Sequence, residues 1–146
     1  MALIEVPSEY GYVIITGFVS TVLTGYLGFK TGAYRKKANV PYPYMYATKE
    51  EAEKDRNKLI FNCYQRAHQN TLENYPQFLL TLMVGGLKHP IISSVGGGIW
   101  ILGRLFYAWG YYTGEPSKRS RGFFSYIGVL ALAGTTISTA ISLLKQ

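Results

Sequence analysis

Three stretches of this chain run for 20 residues or more almost without charge. Tyr10–Phe29, YGYVIITGFVSTVLTGYLGF, holds 20 residues and no ionised side chain. Ile91–Thr113 holds 23, interrupted only by Arg104, and Gly122–Leu144 holds 23 with none. A helix of about 20 mostly apolar residues crosses the hydrocarbon of a bilayer, so each stretch predicts a transmembrane helix. A fourth run, FLLTLMVGGL, is too short alone, but a helix from near Leu59 to near Leu87 reaches spanning length. The expected fold is an all-α, integral membrane four-helix bundle in one domain over 1–146. Its helices are expected at about 8–34, 58–87, 90–114 and 121–144.

A soluble four-helix bundle is the competing architecture. It needs a polar outer stripe on every helix, and the last segment, GFFSYIGVLALAGTTISTAISLL, offers only hydroxyls and glycines. The first segment lacks the basic start and small-residue cleavage site of a signal peptide, so a retained helix is expected there.

Charge then sets the orientation. Eight of the 15 Lys and Arg residues fall between the first two helices: Lys30, Arg35, Lys36, Lys37, Lys49, Lys54, Arg56 and Lys58. Lys118, Arg119 and Arg121 lie between the last two, whereas the second connection has only Lys88 and the C-terminus only Lys145. The positive-inside rule puts both basic loops in the cytosol and both termini on the luminal side. The net charge of +7 thus reflects topology and anionic membrane lipids. With no basic helix or stacking platform in a soluble domain, the pattern argues against a nucleic-acid partner.

The first loop opens with YRKKANVPYPYMYA, where Pro41 and Pro43 forbid a continuing helix. KEEAEKDRNK mixes signs at helical spacing and is expected to be a solvated first stretch of the second helix. Gly85, Gly86, Gly96, Gly97 and Gly98 cluster near the luminal ends of the second and third helices, where small residues let backbones approach. The single cysteine, Cys63, rules out an internal disulfide and is expected to serve packing. His68 and His89 are too far apart for a histidine metal pair, and no metal is expected.

What remains is a set of polar residues where a membrane chain can least accommodate them. Arg66, Asn70 and Glu73 stand at i, i+4 and i+7, on one face of the second helix. Arg104, Tyr107 and Tyr111 share a face of the third. Arg104 lies nine residues before Thr113, roughly 14 Å along the helix and well inside the hydrocarbon. A charge there costs on the order of 3 kcal/mol and by default marks a pathway or a ligand site. A purely structural account needs one ion pair, such as Glu73 with Arg104, and leaves the rest without purpose. Arginines suit carboxylates, Glu73 suits an ammonium, and Asn70 suits an amide. The implied guest is a zwitterionic, peptide-like molecule entering from the cytosol, with an apolar partner arriving laterally from lipid.

FNCYQRAHQNTLENYP (Phe61–Pro76) and GRLFYAWGYYTGEPSKRSRG (Gly103–Gly122) resemble the signatures of one family, the membrane-associated proteins in eicosanoid and glutathione metabolism. The likeness covers nearly the whole chain. It implies a homotrimer of four-helix subunits that holds glutathione between subunits at the cytosolic ends of the helices. It also implies an enzyme, a membrane glutathione transferase and peroxidase, using glutathione as cosubstrate against lipophilic electrophiles or lipid hydroperoxides. The location implied is the endoplasmic reticulum membrane, with the mitochondrial outer membrane as the alternative.

By the same resemblance Arg66, Asn70, Glu73, Tyr107 and Tyr111 match glutathione ligands. Arg35 matches a carboxylate contact given by a neighbouring subunit, and His68 stands where the leukotriene C4 synthase branch has glutamine. That branch's catalytic arginine aligns with Arg119 if the turn carries one extra residue, and with Lys118 if it does not. Asn74 replaces a tyrosine ligand of that branch. Two rival functions accompany this reading: leukotriene C4 synthase-like conjugation as the main activity, and a non-catalytic lipid-binding scaffold.

Overall fold

The computed structural model describes residues 5–145. It contains α1 (Tyr10–Lys37), α2 (Lys49–Lys54), α3 (Arg56–Gly86), α4 (Pro90–Tyr112), a 3-10 helix (Pro116–Gly122) and α5 (Ser125–Leu144), and no strand among the described residues. By length and composition α1, α4 and α5 can cross a membrane. The 31-residue α3 has the length, but its first half is too polar for the same description.

The surface is inside out relative to a water-soluble protein. Phe18, Phe29 and Leu130 are 67%, 75% and 73% exposed, while Ser20, Thr71 and Ser93 are fully buried. These three hydroxyls can face inward because each finds a carbonyl or another hydroxyl. Hydroxyl bonds between helices also fix the register. The Tyr10 hydroxyl donates to the Met83 carbonyl (3.1 Å), Ser20 bonds Tyr75 (2.9 Å) and Thr31 donates to the Tyr64 carbonyl (3.3 Å), so α1 and α3 run antiparallel. Ser93 donates to Thr135 (3.1 Å), and His89 bonds Ser138 (2.8 Å), which sets α5 antiparallel to α4. Phe78 stacks on Trp100 at 3.9 Å, joining α3 to α4 at mid-height.

Glycines set how closely α4 approaches its neighbours. A side chain on Gly96 would press on Ala131 and the Gly128 backbone, on Gly103 it would meet Ser125, and on Gly110 the Lys118 carbonyl. Gly114, at φ +79°, takes a conformation that costs other residues strain and turns the chain out of α4 into the 3-10 helix. Gly85, Gly86 and Gly97 are likewise crowded by Thr135, Val13 and Thr16, but Gly98 faces open space, so packing does not account for it.

The stretch KEEAEKDRNK is not one solvated extension of the long second helix. Thr48 and Glu51 form a reciprocal capping box that starts α2, and Asp55, in extended conformation, interrupts it. The Asp55 carboxylate then accepts from the Asn57 N–H (2.8 Å) and caps α3. Two competing start signals divide what charge spacing alone reads as continuous.

Candidate functional site

The α3 residues Arg66, Asn70 and Glu73 converge as their spacing requires. Arg66 Nη1 donates to both Glu73 oxygens at 3.0 and 3.2 Å, and Asn70 Nδ2 donates to Glu73 Oε2 at 3.3 Å. The pair is 41% and 46% exposed, so on this chain it contributes at most about 1 kcal/mol.

Arg104 has a different partner from the one its charge suggests. It does not pair with Glu73; its Nη2 donates to Asn70 Oδ1 (2.8 Å), and Nε and Nη2 both donate to Thr71 Oγ1 (3.2 and 2.9 Å). The guanidinium also lies over the Tyr107 ring, 4.1 Å from its centre. Glu73 sits on the exposed side of α3, whereas Thr71 is on the buried stripe with Ala67, Phe78 and Leu82 that faces α4. The hydroxyl therefore meets Arg104 and the carboxylate does not. Asn70 links the two groups, accepting from Arg104 and donating to Glu73.

Thr71→Val keeps the side-chain volume and removes the acceptor of two guanidinium bonds. It is expected to destabilise the protein by about 2–3 kcal/mol, with Thr71→Ser near wild type, by thermal unfolding in one detergent.

Asn70, Asn74, Arg104, Tyr107, Arg119 and Tyr126 line a cleft of about 330 Å³ between α3, α4, the 3-10 helix and α5. Asn74, Trp100 and Val129 also line an adjoining groove of about 260 Å³, walled by Phe78, Thr81, Leu132 and Ala133. A polar mouth thus continues into an apolar slot, an arrangement suited to a ligand with a charged head and to an apolar co-ligand.

The close approach at Gly110 brings the 3-10 helix against α4 and sets Arg119 on this cleft. One Arg119 nitrogen donates to the Pro116 carbonyl (2.9 Å), which steadies the side chain. Lys118 is turned to Glu115, at 2.8 Å, and lowers that exposed carboxyl below the usual carboxylate range. Tyr107 and Tyr111 are buried and meet edge to face at 5.3 Å.

Two candidates stand apart from the cluster within this chain. The His68 ring packs against α1 at Gly28. Arg35 is buried between the rings of Tyr42 and Phe61 and donates to the carbonyls of Val40 (3.4 Å), Tyr44 (2.6 Å) and Met45 (3.5 Å). Tyr46, which sequence spacing does not single out, joins the cluster: its hydroxyl donates to Gln69 Oε1 and lies beside Arg66. Burial raises its pKa against the opposing pull of Arg66.

Among the described residues, no three His, Cys, Asp or Glu side chains come together as metal ligands. The chain is 32% identical over 115 residues to human microsomal glutathione S-transferase 2, an alignment spanning 78% of this chain and 71% of that protein. It is 38% identical over 82 residues to the bovine protein of that name, 56% of this chain and 54% of that one. It is 37% identical over 82 residues to an uncharacterised Synechocystis protein, 56% of this chain and 58% of the relative. The sequence model of the MAPEG family matches residues 13–141, the span that holds every residue of the cleft and of the α3 cluster, and the chain belongs to that family.

Proposed function

We propose that this chain is a membrane-bound glutathione transferase with glutathione-dependent peroxidase activity towards lipophilic electrophiles and lipid hydroperoxides. The observation that carries the reading is the polar cleft with Arg119 at its wall, opening into an apolar groove. Glutathione has two carboxylates, an ammonium and two amides, the complements of Arg66, Glu73 and Asn70. The half-exposed Arg66–Glu73 pair is weak enough for a zwitterion to exchange with it. Arg119, which lines the cleft, stabilises the thiolate, while Lys118 is turned away from it towards Glu115.

In transfer, the thiolate forms a bond to electrophilic carbon and the leaving group departs with the displaced electron pair. In peroxidase turnover it attacks the terminal peroxide oxygen: an S–O bond forms, the O–O bond breaks, the alkoxide takes a proton from water and leaves as the alcohol, and glutathione is left as the sulfenic acid. A second glutathione then releases the disulfide and water. The acceptor approaches from lipid along Phe78, Trp100 and Leu132.

The proposed assembly is a homotrimer of four-helix subunits. Its support is the face of α3 carrying Glu73, Asn74 and Gln77, which is exposed on the single chain and too polar for lipid. The basic ends of the helices lie in the cytosol and both termini in the lumen, with the endoplasmic reticulum as the membrane. Purified protein in detergent is expected to develop the ultraviolet absorbance of a thiolate when glutathione is added. It should then consume one or more of a lipid hydroperoxide, an allylic fatty-acid epoxide and a chloronitrobenzene. Absence of both binding and thiolate signal would leave a lipid-binding scaffold as the better account.

A further inference from the structure

The strap Tyr44–Ala47 crosses the start of α3 and is bonded at every residue. Arg35 holds the carbonyls of Tyr44 and Met45, and the Met45 sulfur accepts from Gln65 Nε2 at 3.6 Å. Ala47 is held at both backbone groups by one side chain: its N–H donates to Asn62 Oδ1 (2.9 Å), and its carbonyl accepts from Asn62 Nδ2 (3.0 Å). Directly after it, Thr48 opens the α2 capping box. These bonds tie an irregular segment of four residues to α1 and α3 at once.

Tyr46 is the residue these bonds deliver. Its hydroxyl donates to Gln69, three residues after Arg66 on α3, and so lies beside the Arg66 guanidinium. From Arg66 a hydrogen-bonded chain runs through Glu73, Asn70 and Arg104 to Thr71. On the reading that Arg66 meets a glutathione carboxylate, we infer that Tyr46 is a positioning residue for Arg66. The strap clamped by Arg35 and Asn62 is then a specificity element of the thiol-peptide site. Arg66 is long and 41% exposed, and a neighbour that limits its rotamers lowers the entropy lost on binding.

The test is glutathione binding and steady-state kinetics on the full-length protein in lipid nanodiscs. Tyr46→Phe is expected to raise Kd and KM for glutathione about 10-fold and to leave kcat at saturation within about twofold. In an Arg66→Ala background the same change should cost less than about twofold, because the residue it acts through is gone. Asn62→Ala, which frees Ala47 without touching the cluster, should weaken binding in the same direction and expose the strap to limited proteolysis.

Unchanged binding by Tyr46→Phe, or a full 10-fold penalty retained without Arg66, overturns the inference while the glutathione reading stands. Wild-type protein that binds no glutathione overturns both. Should Tyr46→Phe prove poorly folded, Asn62→Ala decides in its place, and protease sensitivity without weakened binding then overturns the inference.

Discussion

Arg119→Ala is expected to lower kcat for glutathione conjugation about 100- to 1,000-fold while KM for glutathione moves less than about threefold. A free thiol ionises at about pH 8.5 and reacts as the thiolate. A cation at the wall of a partly desolvated cleft favours that anion, and arginine stays charged throughout the working pH range. Arg119 meets these conditions on geometry: it lines the cleft with Asn70, Arg104 and Tyr107, and its bond to the Pro116 carbonyl limits its motion. Removing it takes away stabilisation felt mainly once the sulfur is charged, so the loss belongs in kcat.

The sign with pH follows directly. A nearby cation lowers the bound thiol's pKa, so the rising limb of the pH–rate profile lies below about 8.5 in wild type and moves up towards it in the variant. Lys118→Ala should change kcat less than about threefold, since Arg119 lines the cleft and Lys118, turned towards Glu115, does not. If the large loss follows Lys118 and not Arg119, the register of the turn is the other of the two that the sequence allows.

How much of this was legible in the sequence varies with the physics involved. Helices α1, α4 and α5 are legible because hydrocarbon tolerates few charges. Helix α3, too polar in its first half for that rule, is legible from the apolar run that ends it. The second, expected at about 58–87, spans Arg56–Gly86, and the third, expected at about 90–114, spans Pro90–Tyr112. Ends depend on subtler forces. The first helix runs on through Arg35, Lys36 and Lys37, good helix formers at a carbonyl-rich terminus, to Lys37. The last begins at Ser125, not near 121, because Pro116–Gly122 winds as a 3-10 helix with Gly122 pressed against Gly103 and Tyr107.

Within the α3 cluster, helical spacing sufficed for Arg66, Asn70 and Glu73, whose contacts are local. It could not give Arg104 its partners, because charge alone favours Glu73 and only the rotation of α3 against α4 presents Thr71. Tyr46 was out of reach for a related reason. YPYMYA has no periodicity, and its position depends on Asn62 and Arg35 holding a strap that no local rule describes.

Gly110→Ala is expected to cost about as much activity as altering a residue that touches substrate, on the order of 100-fold, although Gly110 faces only backbone. A methyl there would overlap the Lys118 carbonyl and crowd the Arg119 nitrogen. Backbone cannot rotate aside as a side chain can, so the 3-10 helix must shift, taking Arg119 with it. A displacement of about 1 Å in a catalytic group is enough for such a loss. Gly98→Ala, in the same helix, is the matched control: nothing lies within 4 Å of the added methyl, and alanine favours the helix by roughly 0.5–1 kcal/mol.

The two variants should therefore diverge, Gly98→Ala keeping full turnover at equal or higher melting temperature and Gly110→Ala losing turnover. Glutathione affinity in Gly110→Ala should fall far less than kcat, because Arg66, Asn70 and Glu73 lie on α3, away from the displaced turn. Near-normal kcat in Gly110→Ala would mean that the thiolate is stabilised from somewhere other than the 3-10 helix.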